Sequence, residues 1–373
     1  MTYIYEYFVS FIFAFVAAFF STPLVKKLAL KMGVIDMPDD FRRIHKKPIA
    51  KLGGLAIVFG FTVSMIFSAV GSYLKIFSAF TPNSQLFGFF IGVVIIVAMG
   101  FIDDVIGLKA RYKLVFQLSA AIIVVLFGTR IQYMTNPFSE IGFSELSPYI
   151  SYPLTIFWII GITNALNFID GLDGLAAGVT SISSLSLFFV SVIFQRWDTA
   201  IITAALAGST LGFLPYNFNP AKIFMSDTGS NFLGFALGFI SIQGTLKSYA
   251  ALAIAVPLLV LGLPLFDTLF AIIRRITKGK PIMEADRGHL HHRLIDMGLS
   301  HKQSVVSMYI VSAALGACAI VLADKGALAA IILVISVSVF VVGGARYMSE
   351  VNESSSTDEE VEEEKSQNPD AKK

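Results

Sequence analysis

The chain has little charge and almost no cysteine. Of its 373 residues only 14% are charged and 55% are hydrophobic, which does not suit a surface exposed to water. A water-soluble protein is therefore excluded, and we predict a polytopic protein that folds in a lipid bilayer. The single cysteine, Cys318, excludes both an intramolecular disulfide framework and a cysteine-ligated zinc site.

Two common ion-binding loops are also missing. No G-x-x-x-x-G-K-[ST] segment occurs, which excludes a phosphate-binding P-loop. The Asp-Gly-Leu-Asp-Gly segment that begins at Asp170 lacks the spacing and the distal glutamate of an EF-hand calcium loop.

Apolar stretches run along nearly the whole chain. A helix needs about 20 apolar residues to cross the hydrocarbon core, and eleven stretches qualify within the usual scatter. We predict an all-α membrane bundle of about eleven transmembrane helices, within one integral-membrane domain over residues 1–349. The predicted spans are 3–22, 52–71, 86–102, 113–128, 151–166, 174–194, 199–215, 229–245, 250–273, 304–323 and 326–345.

The basic residues are divided unequally between the two sides of the predicted bundle. Alternate connections up to residue 349 hold twenty Lys and Arg in one set and five in the other. Such an excess marks the cytoplasmic side. We therefore predict an external N-terminus and a cytoplasmic C-terminus, which places the acidic motifs and all five histidines on the cytoplasmic face.

Residues 350–373 differ from the rest of the chain. This segment holds nine acidic and three basic residues, a balance of −6, whereas residues 1–349 carry +8. It has almost no apolar residues to bury, so we predict a disordered cytoplasmic tail.

Two carboxylate motifs follow the ends of predicted spans. Asp103 and Asp104 end the third span, where neighbouring carboxylates hold protons more tightly unless a cation relieves them. On its own this pair also fits a solvated interfacial pair.

The stretch from Asn164 to Leu175 is more specific. It places two amides on one helix face and two carboxylates on a glycine-containing turn, where the backbone can approach a ligand closely. A structural turn capping the sixth span is the alternative.

Asp227 stands at the predicted start of the eighth span. It suits an N-cap, and it suits equally well a hard oxygen ligand for Mg²⁺. By itself the surrounding motif, Tyr216 to Asn231, leaves both interpretations open.

A histidine tract lies in the longest predicted inside loop, Asp286 to Leu294. Three histidines within four residues suggest a transition metal, but the flanking arginines suit a phosphate better. A solvated polar loop remains the alternative. Asp267, near the cytoplasmic boundary, is a candidate by default, although pairing with a loop arginine is equally consistent with its position.

These motifs, in this order, resemble those of the polyprenyl-phosphate N-acetylhexosamine-1-phosphate transferases. The resemblance covers about residues 1–345, and its most specific parts are 164–175 and 224–230. Within this family, the segment from Asp286 to His292 and the loop from Asp36 to Gly54 look like the undecaprenyl-phosphate N-acetylglucosamine-1-phosphate transferases. One departure is Ser226, where relatives often carry glycine.

The resemblance implies that the phosphate of undecaprenyl phosphate attacks the sugar-bearing phosphate of UDP-N-acetylglucosamine and displaces UMP. It implies Mg²⁺ as cofactor, with Mn²⁺ as a substitute, because a cation must screen two reacting anions. The implied setting is the plasma membrane, with the active site on the cytoplasmic face. The reaction would be the first membrane step toward a cell-wall or surface polysaccharide, such as teichoic acid or lipopolysaccharide. The implied partners are the UDP-sugar donor, the lipid acceptor and the membrane, without nucleic acid.

The resemblance also assigns roles by position. Asp103 and Asp104 match the catalytic acidic pair, one of which takes the proton from the lipid phosphate, and Asp227 and Asn167 match the metal side. The predicted substrate-binding residues are Lys46, Lys113, Asp170, Asp173, Asn217, Phe224, His289, His291, His292 and Arg293. These residues serve direct displacement and a covalent aspartyl intermediate equally.

Two other functions are retained as alternatives. Phospho-N-acetylmuramoyl-pentapeptide transferases share the aspartate pairs, but they usually show a different histidine loop and Pro-Thr-Met-Gly-Gly in place of the segment from Ala50 to Gly54. A secondary transporter would place ionisable residues near midspan and show inverted halves, whereas the carboxylates here crowd one face. The long apolar faces permit a homodimer.

Overall fold

The computed structural model describes residues 3–37, 48–135, 143–245, 255–277, 279 and 289–326, together with residues 328, 329, 331, 333 and 335. The chain divides into two compact units, Met1–Asp324 and Lys325–Lys373. The predicted tail, most of the predicted eleventh span and the predicted substrate residue Lys46 lie outside the described residues.

The described part of the chain is built from helices and two short hairpins. In chain order these elements are α1 (Ile4–Met32), β1 (Ile35–Asp36), β2 (Ile49–Ala50), α2 (Gly54–Tyr73), α3 (Ser84–Ile106), α4 (Ala110–Leu126), β3 (Tyr133–Thr135), β4 (Phe143–Glu145), α5 (Pro148–Ile169), α6 (Leu175–Ile193), α7 (Trp197–Asn217), α8 (Ser226–Thr245), α9 (Ala255–Val260), α10 (Gly262–Thr277), α11 (Leu290–Asp296) and α12 (His301–Lys325).

Seven of the described helices, α1, α2, α3, α5, α6, α7 and α12, are long and apolar enough to cross a membrane. The chain is a multi-pass membrane protein. These helices coincide with seven of the predicted spans, and α4 and α8 lie within a few residues of the predicted fourth and eighth spans. The total of eleven crossings and the sidedness of the termini stay predictions.

The predicted ninth span, 250–273, is wrong as one continuous helix. Within the described residues, α9 ends at Val260 and α10 begins at Gly262. Pro264 is the third residue of α10, and proline is tolerated in the first turn of a helix but disrupts the interior of one. An apolar run that looks like a single span is therefore two consecutive helices.

The centre of the bundle is α8, which packs against α2, α3, α5, α6 and α7. Small residues let the helices approach closely, as is common between membrane helices. At Gly54 an added Cβ would collide with the backbone of Gly229, and at Gly100 it would collide with the backbone of Thr228. The first turn of α8 is thus held between α2 and α3.

One end of the bundle gathers the residues of interest. Here α1, α3, α5 and α7 end, and α2, α4, α6 and α8 begin; we call it the site end. The antiparallel hairpin β1–β2 connects α1 to α2 at this end, with Ile35 opposite Ala50. Backbone hydrogen bonds then join the hairpin to the loop before α8, from Phe224 N to the Ala50 oxygen (2.9 Å) and from Gly53 N to the Phe224 oxygen (2.9 Å).

Candidate active site

An acidic cluster lies at the site end, formed by Asp103, Asp104, Lys113, Asn167 and Asp227. Asp227 Oδ1 accepts hydrogen bonds from Asn167 Nδ2 (2.7 Å) and from Lys113 Nζ (3.2 Å). The same lysine forms an ion pair with Asp103. The structure therefore brings together the predicted catalytic pair, the predicted metal ligands and one predicted substrate residue, although these come from four different helices.

Asp104 caps α8. Its carboxylate accepts hydrogen bonds from Asp227 N (3.1 Å), Thr228 N (3.1 Å) and Thr228 Oγ1 (2.5 Å). These are amides at the start of a helix, which have no partner within the helix itself. The N-cap interpretation of Asp227 is therefore wrong for these amides, because the capping carboxylate belongs to α3 and Asp227 already lies within the first turn of α8.

A network of side-chain amides lies beside the acidic cluster. Gln117 Nε2 donates to Asn231 Oδ1 (3.0 Å), and Asn164 Nδ2 donates to Gln117 Oε1 (2.8 Å). Asn231 Nδ2 in turn donates to the Asp227 backbone oxygen (2.9 Å). Gln117 and Asn231 were not among the residues predicted for the site. Both are polar residues in apolar helices, which is the signal that would have identified them.

A cavity of about 770 Å³ opens next to the acidic cluster. Its volume lies in the usual range for small-molecule sites. The predicted residues that line it are Asp170, Asp173, Asn217, Phe224 and His292.

The cavity wall also contains residues that the sequence analysis did not place in the site. Lys26, Lys51, Lys222 and His301 are among them, and Lys51 Nζ lies 3.2 Å from Asp36 Oδ1. The lysines belong to the basic connections counted above, so their charge was visible in the sequence, but their common location was not. The three lysines share the lining with three aspartates, Asp36, Asp170 and Asp173, so they offer cationic groups for a phosphate without making the cavity positive as a whole.

Two of the predicted substrate-binding residues, Asp173 and Asn217, connect the cavity walls to each other. Asp173 Oδ2 accepts from Asn219 Nδ2 (2.9 Å) and from Ala221 N (3.0 Å). Asn217 Oδ1 accepts from Gly174 N (3.1 Å). Gly174 has a φ of 80°, in the left-handed region that favours glycine. The turn between α5 and α6 is thereby connected to the loop between α7 and α8.

Asp170 follows the last residue of α5 and lies close to the other carboxylates of the site. Loss of solvation, together with the negative charges of Asp227, Asp104 and Asp173, raises the pKa of Asp170 well above its usual range. A cation bound among these carboxylates would reverse the effect, since it favours the charged form.

The histidine tract divides into exposed and buried members. His292 lines the cavity, whereas His289 and His291 are only 6% and 2% exposed. Burial lowers the pKa of His291 to about 4, so this side chain is neutral near pH 7. Arg293 lies on the exposed side of α11, and it is not among the described residues that line the cavity.

The acidic cluster offers carboxylate and amide oxygens, which are the ligands that a hard divalent cation takes. Among the described residues, no group of three or more His, Cys, Asp or Glu side chains is arranged to hold a metal ion. Mg²⁺ does not need such a group, because it takes one or two carboxylates and completes its shell with water and substrate oxygens. Asp227 and the Asn167 amide oxygen would supply these ligands. Lys113, between Asp103 and Asp227, shows that these carboxylates already attract positive charge.

The family model for glycosyl transferase family 4 matches residues 86–245. The chain is also 40% identical over 314 residues to a probable undecaprenyl-phosphate N-acetylglucosaminyl 1-phosphate transferase of Bacillus subtilis (strain 168). These 314 residues are 84% of this chain and 84% of the relative. It is 34% identical over 334 residues to a decaprenyl-phosphate N-acetylglucosaminephosphotransferase of Mycolicibacterium smegmatis, covering 84% of this chain and 82% of the relative. It is 27% identical over 296 residues to an undecaprenyl-phosphate alpha-N-acetylglucosaminyl 1-phosphate transferase of Escherichia coli (strain K12), covering 78% of this chain and 77% of the relative. The cluster residues, on α3, α4, α5 and α8, all lie within the matched region. Because the similarity to these relatives extends over most of its length, the chain belongs to glycosyl transferase family 4.

Proposed function

We propose that this protein transfers N-acetylglucosamine 1-phosphate from UDP-N-acetylglucosamine to undecaprenyl phosphate and releases UMP. The names of the relatives support the acceptor and the transferred group. The observation that carries the proposal is the continuity of the segment Phe224 to Asp227. Its first three residues line the cavity, and Asp227, the next residue, belongs to the acidic cluster. A nucleotide in the cavity would thus present its phosphates to the cluster.

In the proposed reaction, an oxygen of the lipid phosphate forms a bond to the sugar-bearing phosphorus of the donor. The bond from that phosphorus to the oxygen bridging the two donor phosphates breaks, and UMP leaves with that oxygen. Mg²⁺, when bound, supplies positive charge that offsets the charge on the transferring phosphoryl group.

The side chains of the acidic cluster have distinct roles in this scheme. Asp227 and Asn167 hold the cation, and Asp104 positions Asp227 through the cap of α8. Asp103 takes the proton from the lipid phosphate. Lys113, which reaches both Asp103 and Asp227, places its ammonium group between the reacting anions.

We place this site on the cytoplasmic face of the plasma membrane. The support is the predicted excess of Lys and Arg in one set of alternate connections, twenty against five, the set to which the loops at the site end belong. In a Cys318→Ser background, a cysteine at Ser84, which begins α3 at the opposite end, should react with an impermeant reagent added outside the cell. Reaction only after the cytoplasm is exposed would contradict this orientation.

Purified protein tests the reaction directly. UMP should appear only when UDP-N-acetylglucosamine, undecaprenyl phosphate and Mg²⁺ are all present, and removal of the metal with a chelator should stop its release. Release of UMP without the lipid would contradict a transferase. Preference for the UDP-N-acetylmuramoyl-pentapeptide donor would contradict N-acetylglucosamine as the transferred sugar. No contact among the described residues favours the pentapeptide donor.

A further inference from the structure

We propose that Asp267 is a positioning residue of this site, which sets the place of His292 in the cavity wall through His289 and His291. The inference rests on the function proposed above. Asp267 lies on α10, and its side chain does not line the cavity. It acts instead at the start of α11, the short helix that carries the histidine tract.

Asp267 makes two hydrogen bonds to the start of α11. Its Oδ2 lies 2.9 Å from His289 Nδ1, and its Oδ1 accepts from Leu290 N (2.7 Å). The side chains of Asp267 and His289 are almost fully buried. A buried carboxylate that bonds one ring nitrogen of a histidine fixes both the tautomer and the direction of the ring. Among the described residues, Asp267 therefore has a histidine as its side-chain partner.

Neighbouring histidine rings connect His289 to the cavity. The rings of His289 and His291 are nearly parallel, at 6° with centroids 5.8 Å apart. The His291 ring also contacts Gly171, where an added Cβ would collide with it. The centroid of His292 lies 4.3 Å from that of His291, and His292 lines the cavity. Each ring in this series limits the position of the next.

The stability of α11 explains why such a device is needed. A helix of seven residues is too short to be stable on its own in water, so tertiary contacts must hold it.

On α10 the outward face exposes apolar side chains, including Phe266, Leu269 and Phe270. Asp267 is on the buried side of α10, which packs against α5, the helix that carries Asn167. Asp267 thus ties the histidine tract to the helix framework of the acidic cluster.

A double-mutant cycle for UMP release tests this inference in the full-length protein. Asp267→Asn keeps an acceptor for Leu290 N but presents an amide to His289 Nδ1, so it should disturb the ring while preserving most of the cap. We expect Asp267→Asn to lower kcat/KM for the donor about tenfold, mainly through a higher KM, because misplacement of a binding group by about 1 Å is costly. His292→Ala should lower kcat/KM at least as much. The double variant should lie within about twofold of His292→Ala, since residues that act through one another are not additive.

Glu6→Gln is the matched control. Glu6 is also a buried carboxylate with two hydrogen bonds, but it lies at the opposite end of the bundle. Its effect on kcat/KM should be small and should simply multiply with that of His292→Ala. Multiplicative behaviour of Asp267→Asn with His292→Ala would overturn the proposal, because it would show that Asp267 supports only the fold.

A second variant covers failure of Asp267→Asn to fold. His289→Gln interrupts the series from Asp267 to His292 one step later. It should lower kcat/KM in the wild-type background but not in the His292→Ala background. Additive effects of His289→Gln and His292→Ala would also overturn the proposal. Thermal stabilisation by UMP or UDP-N-acetylglucosamine gives a readout that needs no turnover, and Asp267→Asn should reduce it as His292→Ala does. Absence of UMP release from the wild-type protein would contradict the proposed function instead, while an active wild type with an additive cycle would contradict only this inference.

Discussion

Two carboxylates at opposite ends of the bundle have very different surroundings. Glu6, only 1% exposed, accepts hydrogen bonds from the backbone amides of Ser78 and Ala79, both at 3.0 Å. Asp227 has a side chain 32% exposed, and its hydrogen-bonding partners among the described residues include the side chains of Asn167 and Lys113. Fixed backbone donors satisfy the charge of Glu6. Asp227 shares the ammonium group of Lys113 with Asp103, and neighbouring carboxylates of this kind are stabilised by a cation.

The largest expected effect follows from replacing Asp227. Asp227→Asn is nearly isosteric, and the cap of α8 is supplied by Asp104, so the variant should fold with a near wild-type Tm. The loss of the carboxylate should lower turnover at least about a hundredfold, roughly 2.7 kcal/mol. UMP release as a function of Mg²⁺ concentration measures this. Near wild-type turnover at limiting Mg²⁺ would assign the metal to another carboxylate of the site.

The reciprocal change at the opposite end should affect stability and not catalysis. In Glu6→Gln, one of the two backbone amides faces an NH₂ group in place of an oxygen and loses its acceptor. We expect a loss of about 2–3 kcal/mol in the free energy of unfolding, the usual range for a buried hydrogen bond to a charged group. Thermal unfolding in detergent measures this, and turnover should stay within about twofold. A large loss of turnover in a well-folded sample would show that the two ends are coupled.

His291 should make stability at the site end sensitive to pH. Its pKa in the folded protein is about 4, below the ordinary value of about 6.5 for an unfolded chain. The unfolded state therefore binds a proton that the folded state does not, and stability falls as pH drops from about 6.5 toward 4. At pH 5 the free energy of unfolding should be lower than at neutral pH by about 2 kcal/mol for this reason. His291→Gln should flatten the dependence of Tm on pH in this window. An unchanged slope in His291→Gln would contradict the assignment.

Ser226 should give the smallest effect. Its φ of 59° lies in the left-handed region immediately before Asp227, where glycine has no steric penalty. Ser226→Gly should raise stability by about 1 kcal/mol, the lower end of the cost of this conformation for other residues. Lys75, with a φ of 58° after α2 at the opposite end, offers a matched control. A gain for Lys75→Gly with a loss for Ser226→Gly would mean that the serine hydroxyl has a role in the site.

The sequence was sufficient to predict the elements whose signals are local. Long apolar runs predicted most of the helices, and the spacing of Asn164 and Asn167 predicted a polar helix face near the site. The alternation of basic connections predicted that Asp103, Asp170 and Asp227 share one end of the bundle, and the structure brings these motifs together there.

Contacts between distant segments could not be predicted in this way. Asp104 caps amides 123 residues away, and no local pattern identifies that pairing. The same holds for Gln117 and Asn231, 114 residues apart, and for Asp267 and His289, separated by a loop. The interruption between α9 and α10 was missed for a different reason, because hydropathy alone outweighed the local signal of Pro264.

The close approach of Gly54 to Gly229 restricts how this sequence can change. An added Cβ at Gly54 would meet the backbone of Gly229, and one at Gly229 would meet Met225 and the Cα of Gly54. Substitution at one position cannot be compensated at the other, because the atoms in the way are largely main chain. In a saturation mutagenesis library, both positions should therefore accept glycine alone, although neither residue contributes a functional group to the chemistry.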